Sequence, residues 1–308
     1  MYGPTCSELT PSDICSLLFR HEFHFCSVAD TRGYLSGEIF QKRFNSIPST
    51  TLTLCRLRLC YMNPTLKTVI PKPILKFARH VRSRFFADYQ KHHAELSFWQ
   101  GRFKADKGHF QNSHYRRILL AIAGESTDEF TRGKIVADFG CGPRGSLVWA
   151  TPALLRVGID VLADRYFDEF KTDLALHDMI YLKSTEKSIP LPSHFVDIVF
   201  TLNAIDHVDH FTAMCSEILR ILKPGGLFIG SFNLEEPETA TEPQRLTVDL
   251  IKTYLLGPMT IETYRISEKG PKDNVYGPLL ENNELVYRKG NEGILWVRAS
   301  KPVAQFTP

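Results

Sequence analysis

Four residues of this 308-residue chain, Asp138, Gly140, Gly142 and Asp160, have the types and spacing that ligand chemistry requires. The first three lie in Ile135-Val136-Ala137-Asp138-Phe139-Gly140-Cys141-Gly142-Pro143-Arg144-Gly145, where an apolar run ends on a carboxylate and breaks at once into glycines. Glycines at such a turn take positive φ and carry no side chain, so a bulky ligand can lie directly on the backbone. Gly140-x-Gly142-x-x-Gly145 also fits the dinucleotide fingerprint, with Asp160 at the distance that fingerprint asks for, so the glycines alone leave the nucleoside ligand unnamed. Asp138 shifts the balance. A carboxylate two residues before the first glycine repels a diphosphate and holds a cationic amino-acid or sulfonium group.

The surrounding elements must place these groups. Ile135–Phe139 reads as a buried strand. Pro143 suits the first turn of a helix, whose unpaired amides would face the ligand, and that helix is expected over Leu147–Leu155. Alternating strands and helices follow: strand Arg156–Asp160, helix Ala163–Phe170, strand Met179–Lys183, strand Val196–Leu202, helix Thr212–Leu222 and strand Leu227–Phe232. Runs such as Val196-Asp197-Ile198-Val199-Phe200 are apolar on both faces, as parallel strands covered by helices are. Lys223-Pro224-Gly225-Gly226 marks a helix stop and a sharp turn. Two further strands are expected at Ile261–Ile266 and Ile294–Ala299.

Asp138 to Gly145, Asp160, Ile189-Pro190-Leu191-Pro192 ahead of Val196-Asp197-Ile198-Val199, and Ile218-Leu219-Arg220-Ile221-Leu222-Lys223-Pro224-Gly225-Gly226 stand in this order at the carboxyl ends of successive strands, where open α/β sheets bind ligands. The set resembles the class I S-adenosylmethionine-dependent methyltransferases, type 11 subgroup, over roughly residues 133–303. The resemblance implies an α/β, Rossmann-like, doubly wound seven-stranded sheet with its last strand antiparallel. It implies S-adenosylmethionine as cofactor, with Asp138, Gly140, Cys141 and Gly142 around the methionine end and Asp160 accepting from the ribose hydroxyls. The family's acidic adenine contact falls on Thr185 here, with Glu186 beside it. Asn203-Ala204-Ile205-Asp206-His207-Val208-Asp209-His210 falls where the family lines the sulfonium and the substrate. Asn203 offers a donor and an acceptor toward the cofactor. His207 is the candidate base, with Asp206 or Asp209 to orient it.

Composition bounds the remainder. A net charge of +3 without a long basic run argues against nucleic acid as partner. Neither a membrane span of about eighteen apolar residues nor a secretory signal is legible, which reads as cytoplasmic. Five of the seven cysteines fall within the first sixty residues, no pair has C-x-x-C spacing, and His21, His24 and Cys26 lack the second close pair a metal site needs, so no metal is expected. Residues 1–61 form a poorly defined extension, and Met62-Asn63-Pro64 reads as a start. Residues 62–125 form a helical cap region and 126–308 the catalytic domain. Within the cap, Ile74 to about Lys104 is an amphipathic helix with Lys76, Arg79, Arg82 and Arg84, read first as the charged, solvated face of a helix capping the catalytic domain and second as a surface able to meet a membrane peripherally. Phe98-Trp99-Gln100 and His109-Phe110 either close over the ligand or staple to the core.

No Asn-Pro-Pro-Tyr turn, Pro-Cys nucleophile, paired-glutamate loop or magnesium-binding acidic set appears, which leaves a small-molecule acceptor methylated on oxygen, nitrogen or carbon. Residues 233–243 are the expected substrate loop. Two other readings keep parts of the pattern: a non-catalytic S-adenosylmethionine-binding or interaction protein, and an NAD-dependent oxidoreductase, which leaves Asp138 and the Lys223–Gly226 turn unexplained.

Overall fold

A computed structural model describes the backbone of residues 72–303 and the side chains of 88–303. The chain divides into two units, Met1–Leu75 and Lys76–Pro308, and the domain below is the second. The expectations for residues 1–61, and for the basic side chains Lys76 to Arg84, lie outside the described residues.

Helix α1 spans Lys72–Ala105, with Pro73 in its first turn where the missing N–H costs nothing. Helix α2, Ser113–Ala123, ends on Gly124 in the left-handed conformation. The sheet then assembles from β1 (Ile135–Phe139), β2 (Leu155–Asp160), β3 (Ile180–Lys183), β4 (Val196–Leu202), β5 (Leu222–Leu234), β6 (Thr260–Glu268) and β7 (Gly293–Ser300). Its order is β3-β2-β1-β4-β5-β7-β6, and β7 runs antiparallel to both neighbours. Helix α3 (Ala163–Leu174) follows β2, and helix α4 (Phe211–Ile221) precedes β5. This is the expected doubly wound, Rossmann-like seven-stranded sheet.

Alternate residues of each strand feed opposite faces, as a period of two demands. Ala137, Phe139, Val199, Phe228, Phe232, Leu295 and Val297 pack on one side with Met214, Ile218 and Ile221 of α4. Val136, Ile198, Phe200, Ile229, Ile294 and Trp296 pack on the other with Ile118, Leu119 and Ile122 of α2. Each large side chain so buried contributes roughly 1.5–3 kcal/mol before the entropy of ordering it is subtracted. Polar hooks set the register. Asp197 accepts from the Ile135 amide at 2.8 Å and from Lys223 Nζ at 2.7 Å. Arg220 donates to the carbonyls of Leu191 and Ile189 at 2.7 and 2.9 Å, which pins the Ile-Pro-Leu-Pro segment to α4.

Two local expectations are corrected. No helix forms over Leu147–Leu155, where residues 146–154 make successive turns instead. Gly145 sits at φ +74°, which a right-handed helix cannot pass through, and Pro152 closes the segment from the other side. The six intervening residues are too few to repay helix nucleation. The Lys223–Gly226 turn, for its part, lies inside β5. Val196 pairs with Leu222 and Ile198 with Leu227, so four residues bulge out opposite the single Asp197.

Candidate active site

β1 and β2 are parallel neighbours in which Phe139 pairs with Ile159, so Asp138 and Asp160 both arrive at their carboxyl ends. Asp138 is 3% exposed and Asp160 9%. The Ser146 hydroxyl donates to Asp138 Oδ2, while Asp138 Oδ1 has no partner. Burial raises the Asp138 carboxyl to about 7, against the Ser146 hydrogen bond and with help from the neighbouring Asp160 charge. Asp160 takes the Gly142 amide at 3.0 Å and the Leu162 amide at 2.9 Å, and burial still lifts it to about 6. Both buried carboxylates thus have a raised affinity for protons, and one keeps an idle oxygen.

The glycines also answer to protein atoms. A Cβ on Gly140 would stand 2.1 Å from Ala204 Cβ, and one on Gly142 would stand 2.6 Å from Trp99 Cζ2. Protein atoms therefore require both glycines: the β4 exit loop rests on one and the α1 indole on the other. The turn's amides are likewise spent internally, Gly140 N and Cys141 N on Ile159 O and Gly142 N on Asp160. Cys141 is buried, its Sγ 2.7 Å from where a Cβ of Gly158 would be.

Trp99 is held by its indole N–H to Glu95 Oε1 at 3.0 Å and by edge-to-face contacts with Phe110 and Tyr166. Further along α1, Lys91 bonds Asp209 at 2.8 Å and lies 3.5 Å from Glu186. At the helix end Asp106 takes Arg144 at 2.7 Å. Residues 91–106 are thus tied to the rim of the strand ends at three points. Replacing Trp99 by alanine removes the aromatic hub of this strap, and an expected loss of roughly 2–3 kcal/mol would appear as an earlier urea midpoint at unchanged slope.

Asn203 stands at φ +47°, a conformation asparagine tolerates. Its Oδ1 accepts from Ser231 Oγ at 2.7 Å and its Nδ2 donates to Tyr276 OH at 3.2 Å, so both ends of the amide are engaged within the protein. His207 lies between Glu95, 3.8 Å from Nδ1, and Glu242, 3.7 Å from Nε2. The expected orienting pair is therefore corrected. Asp209 turns to Lys91, and Asp206, 4% exposed, leaves Oδ1 without a partner. Glu242 arrives on the loop after β5, which docks through Gln244 N on Asp206 O at 3.2 Å.

Thr185 closes its own turn, accepting from Ser188 N at 3.0 Å. Glu186 faces α1, where His92, the Asp209 amide and Lys91 outweigh burial and hold it down to about 2. Ser146, Glu95, Lys91 and Tyr276 escaped the sequence reading, whereas Glu242 falls in the expected substrate loop, 233–243, without a role assigned to it. The Glu95–Trp99 spacing of four was the one legible hint, since it places both on one face of a helix. The other three meet the site only through tertiary contacts.

A sheet of order β3-β2-β1-β4-β5-β7-β6 with an antiparallel β7, and carboxylates closing β1 and β2, is the arrangement that the resemblance to class I S-adenosylmethionine-dependent methyltransferases implied. Residues 137–230 match the type 11 family model, described as a methyltransferase domain. It is 27% identical over 171 residues to a sterol 24-C-methyltransferase of Pneumocystis carinii, an alignment covering 48% of this chain and 42% of that protein. The chain thus spans less than half the length of the curated relative it matches. Among solved structures, an S-adenosylmethionine-dependent methyltransferase from Aquifex aeolicus aligns at 16% identity and TM-score 0.41, over 62% of this chain and 94% of that one. One from Mesorhizobium loti aligns at 17% and 0.41, over 57% and 98%. No described helix is long and apolar enough to cross a membrane.

Proposed function

We propose that this chain transfers the methyl group of S-adenosylmethionine to a small-molecule acceptor at the carboxyl ends of β1, β2 and β4. The observation that carries the reading is the idle, buried Asp138 Oδ1 one strand away from Asp160. When bound, the cofactor supplies a methyl on a sulfonium, an activated leaving group needing little further help. The protein's task is then to bind, orient and exclude water. Asp138 offers its open oxygen to the ammonium and sulfonium charges. Asp160, whose oxygens keep unused lone pairs beyond their two amide bonds, accepts from the ribose hydroxyls. Cys141, Gly140 and Gly142 form the floor; Thr185, Glu186 and Asn203 line the adenine and sulfonium ends.

His207, held between two carboxylates, is the group placed to take a proton from the acceptor. His207→Gln is expected to lower kcat by about 10²-fold or more while leaving cofactor affinity within a factor of two or three. An unchanged kcat removes the base from the reaction.

Calorimetric titration with S-adenosylmethionine, S-adenosylhomocysteine and NAD tests the whole reading. Binding of the first two, weakened by Asp138→Ala and by Asp160→Ala, is the expected result. Binding of NAD alone, or of none, overturns it.

A further inference from the structure

The strand ends carry more negative charge than one cofactor uses. Asp138 and Asp160 influence each other, Asp160 feels Glu95 and His207, and Asp206 feels His207, Glu242 and Glu236. Some of these charges are already matched: Lys269 holds Glu236, and Lys91 holds Asp209 and Glu186. None of Asp138, Asp160, Glu95, Asp206 and Glu242 is matched by a lysine or arginine among the described residues, and Glu95 and Glu242 flank His207. S-adenosylmethionine, with two positive groups and one carboxylate, brings a net charge of one.

The excess is concentrated around Asp206. Its side chain is 96% buried by the 4% exposure of the residue, and Oδ1 has no hydrogen-bond donor. Buried acceptors are nearly always paired, so one left idle beside His207 marks where a donor is meant to arrive. Among the described residues no group of three ligating side chains is arranged to hold a metal ion, and the surplus of unmatched carboxylates favours a donor that carries positive charge. Glu242, about a third exposed on its loop, lies 3.7 Å from His207 Nε2, and its charge acts on Asp206.

On the reading that this is a methyl-transfer site, we propose that the acceptor is an amine, which enters as an ammonium ion and is held by Asp206 and Glu242 beside His207. The ammonium gives one proton to the imidazole of His207. The nitrogen lone pair then forms the N–C bond to the methyl carbon as the S–C bond breaks, and that bonding pair stays on sulfur as a thioether. The product leaves as a methylated ammonium ion, and the imidazolium returns its proton to water.

The test uses the full chain saturated with S-adenosylhomocysteine and titrated with propylamine, benzylamine and dodecylamine, each against the alcohol of the same carbon skeleton. At least one amine should bind about tenfold or more tighter than its alcohol, and the ratio should shrink with added salt. Asp206→Asn, isosteric, and Glu242→Gln, on the exposed loop, should each cut the ratio severalfold with thermal unfolding little changed. Should Asp206→Asn prove unfolded, Glu242→Gln decides alone. Equal binding of every amine and its alcohol, or a preference that survives both substitutions, overturns the amine. Failure of S-adenosylhomocysteine to bind overturns the cofactor reading instead, and the amine-to-alcohol ratio on the unliganded chain still decides this one.

Discussion

Asp138→Ala abolishes measurable S-adenosylmethionine binding in calorimetry, with an expected loss of about 10²-fold or more, because it deletes a buried charge-assisted contact typically worth 2–5 kcal/mol. The more informative variant is Asp138→Asn, which keeps the volume and removes the charge. Since burial raises the carboxyl to about 7 in the protein without ligand, a cation binds the ionised form at the expense of a proton. Wild-type affinity should therefore fall as pH drops below about 7, approaching tenfold per pH unit, and binding there should release protons, visible as a dependence of the heat on buffer ionisation. The asparagine variant should bind weakly and show neither effect. A wild-type affinity flat between pH 5 and 8 would remove Asp138 from the cofactor's cationic end.

The same residue predicts a stability difference of opposite sign. The folded pKa lies above the unfolded value, so between pH 4 and 7 the native state holds the extra proton and stability without ligand falls as pH rises. At pH 8 Asp138→Asn should melt higher than wild type, and the gap should close toward pH 5. Ser146, Asp160, Tyr115, Cys141, Tyr181 and Tyr276 are linked to this carboxylate, so their substitution would shift the window rather than reverse it.

Gly140→Ala should be the most damaging single methyl group in the domain. Its φ of +72° disfavours an L side chain by about 1–2 kcal/mol, and the new Cβ, 2.1 Å from Ala204 Cβ, adds overpacking of roughly 1–3 kcal/mol. Urea unfolding is expected to show a loss of about 3–4 kcal/mol. Adding Ala204→Gly should recover the steric share and leave the conformational one. Gly101→Ala is the control of opposite sign. Nothing lies within 4 Å of its new Cβ near the C-terminal end of α1, and helix propensity favours alanine there by up to about 1 kcal/mol. Equal effects at the two positions would show that the turn yields where the backbone places Ala204.

The sheet was legible because buried parallel strands must be continuously apolar, and runs such as Val196–Leu202 can satisfy that demand in few other ways. Asp138 and Asp160 were legible for a related reason: a charge closing a buried strand is costly unless something depends on it. The helix expected over Leu147–Leu155 failed because local propensity says nothing of the left-handed Gly145, whose conformation follows from packing against His177 and Val148. The Lys223–Gly226 turn became a bulge within β5 because its ends are fixed by pairing with β4, a partner distant in sequence.

By itself, the amino-acid order determined the strand set, the carboxylate-and-glycine turn and the class of cofactor, since each rests on residues within one local segment. Only the tertiary structure decided what surrounds them. Trp99 on Gly142, Ser146 on Asp138, Tyr276 on Asn203, and Glu95 with Glu242 about His207 join segments from 8 to 112 positions apart. Such pairings depend on how α1 and the loop after β5 pack over the strand ends, and no periodicity or spacing in a single segment encodes that.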